Sequence, residues 1–143
     1  METLLFATVA INAALLIFIA DILGKMMNAV DQLTSKNLIT LMVKFSSKSP
    51  FVILILNVPL LIAIPYYWIY GFGNWWITGG LVLWLVAGSL SKVYKLPVYQ
   101  KLAALQSSSI SEIEEQHRKF DNGNVFQAIL YFLATIVIAF GIF

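Results

Sequence analysis

The run HRKFDNGNVFQ, His117 to Gln127, holds the only histidine of the chain. Two bases (Arg118 and Lys119), one acid (Asp121) and two asparagines flanking Gly123 stand beside it. A histidine with a carboxylate at helical spacing is raw material for acid–base catalysis or for a metal site. His117 with Glu114 or Asp121, at steps of three and four, supplies two such groups and no third. One histidine and no cysteine give no bis-histidine haem, no HExxH-type zinc site and no thiol nucleophile. No glycine-rich phosphate loop or serine elbow is present, and Glu114 and Glu115 point to different faces of a helix. The residues therefore assign no catalytic group, no metal and no cofactor. The simplest expectation for His117 is a surface position.

The other candidates are polar residues inside apolar runs, where an unpaired polar group is costly. They are Asn12, Asp21, Asn57, Thr78, Ser89, Asn124, Gln127, Tyr131 and Thr135. His117, Phe120, Asn124, Gln127, Tyr131 and Thr135 follow one helical stripe. As ligand- or proton-binding residues, Asp21, Asn57, Asn124, Gln127 and His117 are the candidates. The competing reading is interhelical hydrogen bonding, on the order of 1 kcal/mol per bond. It is favoured because the central residues carry no charge, and because Asp21 can pair with Lys25 one turn later.

What must position these residues is a set of membrane helices. The chain is 60% apolar and 11% charged, with strongly positive mean hydropathy, far from soluble composition. Its 143 residues suit a single domain. A net charge of +2 points to no nucleic-acid partner. Four apolar runs are long enough to cross a bilayer as helices: about 4–23, 50–72, 75–91 and 125–143. The first resembles a signal peptide but carries Glu2 in place of a basic start and is longer than a usual h-region, so a retained span is expected. The fold class expected is all-α: a polytopic membrane protein with four transmembrane helices in an antiparallel bundle.

All nine basic residues lie between spans one and two or between spans three and four. The positive-inside bias then puts loops 24–49 and 92–124 in the cytoplasm and both termini outside. The short YYWIYGFGNWW connection agrees, since such rings suit the interfacial belt; an aromatic ligand cage is the alternative. This orientation gathers Asp21, Asn57, Ser89, Asn124 and Gln127 in the cytoplasmic half.

Within the first cytoplasmic connection, Leu38, Leu41, Met42 and Phe45 predict the apolar face of a short surface helix, capped by Thr34 or Ser35; the equal alternative is that the second span begins with a cytoplasmic extension. In the second, Pro97 is expected to kink the third helix, and Ser109 with Glu112, or Ser111 with Glu114, has capping-box spacing. Helices three and four are thus expected to extend into the cytoplasm as a helical hairpin turning at Ser107–Ser109. Gly123 is its weak link, a hinge or kink at the membrane surface.

GLVLWLVAGSLSKVYKLPVYQKL followed by EEQHRKFDNGNVFQAILYFLATIVI is similar to small bacterial four-span integral membrane proteins of unknown function. In those, a long third helix runs into a basic segment, with an R-x-x-(W/F)-(D/N) signature before the fourth span. Arg118, Phe120, Asp121 and Asn124 carry a degenerate version, the aromatic falling two residues after the arginine instead of three. The resemblance covers the second half of the chain and implies a four-helix bundle in a bacterial inner membrane, with no reaction. The functional expectation is a non-catalytic accessory or interaction subunit with the bilayer and a protein partner or second copy as its contacts. A small oligomeric transporter or channel-like protein with a cytoplasm-facing polar cavity is the first alternative. A membrane enzyme acting on a lipid-soluble substrate is the second.

Overall fold

A computed structural model describes all 143 residues, and the chain is helical throughout with no strand. Five helices form: α1 (Glu2–Asn28), α2 (Gln32–Ser46), α3 (Pro50–Tyr70), α4 (Trp75–Ala104) and α5 (Ile110–Phe140). All but α2 are long and apolar enough to cross a membrane. Spans three and four are segments of longer helices, because α4 and α5 continue well past the apolar runs.

The ends of the helices follow their local chemistry. Asp31 caps α2, its carboxylate accepting from the amides of Leu33 and Thr34 at 3.1 and 3.0 Å. This corrects the expectation of Thr34 or Ser35 as the cap; the helix starts at Gln32, so Asp31 is the residue whose side-chain oxygen can reach the orphan amides of Leu33 and Thr34. The Thr34 hydroxyl and amide hold the Asp31 carboxyl below its usual range, so its contribution to α2 is complete at neutral pH and is lost as pH falls through that lowered value. At α5 the capping box does not form: Ser109 stands at the N-cap without a side-chain bond. Gly71, at φ 68°, ends α3 in a conformation that only glycine adopts without strain.

Helix α4 contains a π-helical turn at Ser91–Lys95, just before Pro97. Proline has no N–H to donate four residues back, and the wider turn takes up the mismatch, with the Leu96 amide reaching the Ser91 carbonyl. A second π turn, Ile19–Leu23, lies in α1. By contrast α5 runs unbroken through Gly123, which is buried and is no hinge. A Cβ there would lie 3.0 Å from Tyr94 and Lys95, so the glycine is the seat on which α4 rests.

Helices α4 and α5 touch along most of their length. Asn74 donates to the Gly141 carbonyl at 2.9 Å, Gly80 faces Ala134 and Ile138, Gly88 faces Tyr131, and Gly123 faces Tyr94. The main core joins α1, α3, α4 and α5 through residues such as Leu5, Leu16, Ala63, Trp84, Tyr131 and Ile138. A second core of Met27, Ile39, Leu102, Ile113 and Phe120 binds α2 to the far parts of α1, α4 and α5. The basic connections lie at this end, and the Tyr–Trp cluster lies at the other, called here the aromatic end. Helix α2 buries Ser35 and Ile39, while Leu38, Leu41 and Phe45 are exposed. Of the expected apolar face, Met42 packs against the second core, and the other three residues point outward.

Asn12 holds the middle together. Pro59 leaves the Ile55 carbonyl without its helical donor. With its carboxamide oxygen toward the Trp84 indole N–H, fully buried Asn12 donates to that carbonyl at 3.1 Å and accepts from Trp84 Nε1 at 3.2 Å. One amide thus satisfies α3 and α4 from α1. Asn12→Leu is expected to lower stability by about 1–2 kcal/mol, because two polar groups lose their partners in hydrocarbon. Reversible SDS unfolding of the detergent-solubilised protein measures this; an unchanged transition would remove Asn12 from the account.

Candidate functional site

Between α3 and the α4–α5 pair, on the basic-end side of Asn12, lies a cavity of about 530 Å³. Its apolar wall includes Leu15 of α1, Leu56 and Leu60 of α3, and Leu85 of α4. Its polar wall carries Lys92, Lys95, Ser91, Asn124 and Gln127, with Phe120 and Tyr131 above and below along the α5 stripe. No Asp or Glu lines it.

The polar wall is organised by Gln127, which is buried. Its Nε2 donates to the Ala87 carbonyl at 2.9 Å and to Ser91 Oγ at 2.8 Å, and its Oε1 accepts from Lys95 Nζ at 2.9 Å. The lysine reaches this point because Gly123 admits the α4 chain against α5. Its ammonium also sits 5.4 Å from the Phe120 ring centre, a cation–π distance. Neither neighbour is an anion. Asn124, one turn before Gln127, has a buried Oδ1 with no partner.

The candidates named from sequence divide on this geometry. Asn57, Asn124 and Gln127 line the cavity, as does Ser89. Asn57 and Ser89 bond back to Ile53 and Leu85 on their own helices, the usual recourse of a short polar side chain in a helix. Asp21 stands outside the cavity. It is exposed, pairs with Lys25 at 2.5 Å, and borders a small apolar groove between α1 and α5. Four of the five polar residues expected in one half line the cavity; Asp21 lies at the same level, beside Val125 and Ala128 of α5, but outside the cavity, next to the π turn at Ile19–Leu23.

His117 is also outside the cavity, and it is not at the surface: it is 2% exposed. Its Nε2 lies 3.3 Å from Asp121 Oδ2, its Nδ1 3.4 Å from Gln32 Oε1, and Ser35 Oγ 3.2 Å from Nδ1. Asn28 Nδ2 donates to Asp121 Oδ2 at 3.1 Å. Serine, histidine and aspartate thus meet, but not as a nucleophilic triad. Ser35 is fully buried with no approach for a substrate, and its oxygen lies nearly equidistant from both ring nitrogens instead of along one lone pair. The cluster ties α1 and α2 to α5. Burial of a charged-residue neighbourhood by α2 is a tertiary event, which is why charge pattern alone placed His117 outside.

Lys95 lines the cavity, although its place in the sequence marks it only as one of the basic residues between spans three and four. The available signal was position: Lys95 falls one turn after Ser91 on the face that carries Gly88, the same face that meets the α5 stripe. The aromatic end is built from rings that pair among themselves, Tyr67 on Phe72 at 4.4 Å and Tyr66 beside Tyr70 at 5.3 Å, while Trp68 and Trp75 point outward.

No protein-family model matches this chain, and no curated protein or solved structure matches it.

Proposed function

We propose that this is a multi-pass membrane protein that acts by taking a small lipid-soluble molecule into the interhelical cavity at its basic end, without covalent chemistry. In this reading the four long helices form an antiparallel bundle, and the ends of α4 and α5 project as a hairpin. The basic end faces the cytoplasm, both termini lie outside, and the membrane is a bacterial inner membrane, as the resemblance of the second half implies. The observation that carries the reading is the cavity: about 530 Å³, within the range of small-molecule sites, apolar on one wall and polar on the other. It favours the cytoplasm-facing-cavity alternative over an accessory subunit, because a cavity with one polar and one apolar wall suits a bound small molecule and is not needed for docking a partner.

The absence of cysteine makes the test direct. Single cysteines Ser89→Cys, Leu54→Cys and Gly73→Cys are introduced and exposed to a membrane-impermeant maleimide in inverted and right-side-out vesicles. Ser89→Cys is expected to react in inverted vesicles, Gly73→Cys in right-side-out ones, and Leu54→Cys, on the exposed side of α3, in neither. Reversal of the first two would overturn the orientation, and an unreactive Ser89→Cys in both would overturn an open cavity.

A further inference from the structure

The cavity wall carries an unbalanced charge. Lys95 Nζ is held by a neutral carboxamide and a ring face, Lys92 lies on the same wall, and no carboxylate lines the cavity. A cation drawn off the water without a counter-ion is costly, and an anion that enters beside it recovers that cost. Asn124, which also lines this wall, is neutral and leaves the lysine charge unbalanced.

Resting on the cavity-binding reading above, we propose that the site takes a single-chain amphiphile with a carboxylate head, that is, a long-chain fatty acid. Its carboxylate accepts from Lys95, with Lys92 and Ser91 on the same polar wall. The alkyl chain lies along Leu15, Leu56, Leu60 and Leu85. From Val52 to Leu60 the wall of α3 is about 12 Å long by the helical rise, a depth suited to a chain rather than to a compact polar solute. A monoanion fits better than a phosphate monoester, because the wall offers no arginine, and of the first turn of α3 only Val52 lines it, its amide already donating to Ser49 Oγ. Lysine meets an anion as a single point charge.

The test uses the full chain in phosphatidylcholine nanodiscs with three photoreactive diazirine probes of equal chain length: a carboxylate, a primary alcohol and a phosphate monoester. Crosslinks are mapped by peptide mass spectrometry. The carboxylate probe is expected to label the segments bearing Leu56, Leu60 and Leu85, and unlabelled hexadecanoate to compete it away. Lys95→Gln is expected to cut that labelling about tenfold, the worth of one charge-assisted hydrogen bond, and Lys95→Arg to keep most of it. The alcohol probe is expected to label the cavity weakly and equally in the wild type and Lys95→Gln.

Equal labelling by acid and alcohol, unmoved by Lys95→Gln, would overturn the carboxylate assignment and leave cavity binding standing. Preferential labelling by the phosphate would overturn the monoanion. Labelling confined to outward residues such as Leu54 and Leu61 would overturn the cavity reading itself. Leu60→Trp, which fills the apolar wall and leaves Lys95 in place, is expected to abolish carboxylate labelling; a fully labelled variant would place the chain elsewhere.

Discussion

Replacing His117 by alanine is expected to destabilise the basic end by about 2 kcal/mol, because it strips a half-buried carboxylate of the ring that faces it and leaves a void where the buried ring stood. Asp121 Oδ1 already lacks a partner, and after the substitution Oδ2 keeps only Asn28. The loss falls on the seam between α2 and α5, where Ser35 and Gln32 also lose their contact. Limited proteolysis in mild detergent is expected to cut first around residues 29–49, and SDS unfolding to give the free energy. The pairing is checked by a double-mutant cycle with Asp121→Ala. A coupling of 1 kcal/mol or more is expected for groups in direct contact, and strict additivity would show that the ring and the carboxylate do not sustain each other. His117→Ala is also expected to leave fatty-acid labelling of the cavity in place, since the ring does not line it. That separates the stabilising role of the cluster from the binding role of Lys95.

The second large effect is expected at Gly80. A Cβ at this position would lie 2.3 Å from Ile138 Cγ1 and 2.9 Å from the Ala134 carbonyl oxygen. The isoleucine can turn aside, but the carbonyl belongs to the backbone of α5 and cannot move without moving the helix. Gly80→Leu is therefore expected to force α4 and α5 apart at a cost of about 3 kcal/mol, at the upper end of the usual overpacking range. Gly80→Ala is expected to cost less, since only the Cβ intrudes. Small residues that bring helices close are the main device of packing in lipid, where burial from water supplies no drive. Gly79, one residue earlier, serves as the control: its Cβ would stand 3.8 Å from Val137, an ordinary contact, and Gly79→Ala is expected to change little. If Gly79→Ala and Gly80→Leu unfold at the same SDS fraction, the close approach is not what joins these helices.

The sequence was legible wherever a property belongs to one segment. Length and hydropathy marked the four apolar runs, and each coincides with a helix long and apolar enough to cross a membrane, the second and fourth runs overrunning their helices by two and three residues. The 3.6-residue period put Phe120, Asn124, Gln127 and Tyr131 on one face of α5, and all four are buried along it. Pro97 foretold a local distortion of α4, found as a π turn. Cap chemistry was less legible: Asp31 took the place of Thr34 or Ser35, and Ser109 caps without its side chain, because a cap depends on backbone angles that composition does not dictate.

What only the tertiary structure decided is which faces meet and how closely. Helical period tells which residues share a stripe, but it is silent on the helix opposite. It could not say that the Ile55 carbonyl freed by Pro59 would find Asn12, or that α2 would turn Leu38, Leu41 and Phe45 outward and fold over His117. Nor could it distinguish Gly123 as a hinge from Gly123 as the seat that draws Lys95 against Gln127. Both roles need the same residue, since glycine offers flexibility and a missing Cβ alike. Lys95 and His117 therefore exchanged their expected positions. The lysine counted as a surface charge lines the cavity wall, and the histidine expected at the surface is in the core. The physical reason is that burial is a relation between segments, fixed by packing across the bundle, whereas hydropathy and period are properties of one segment alone.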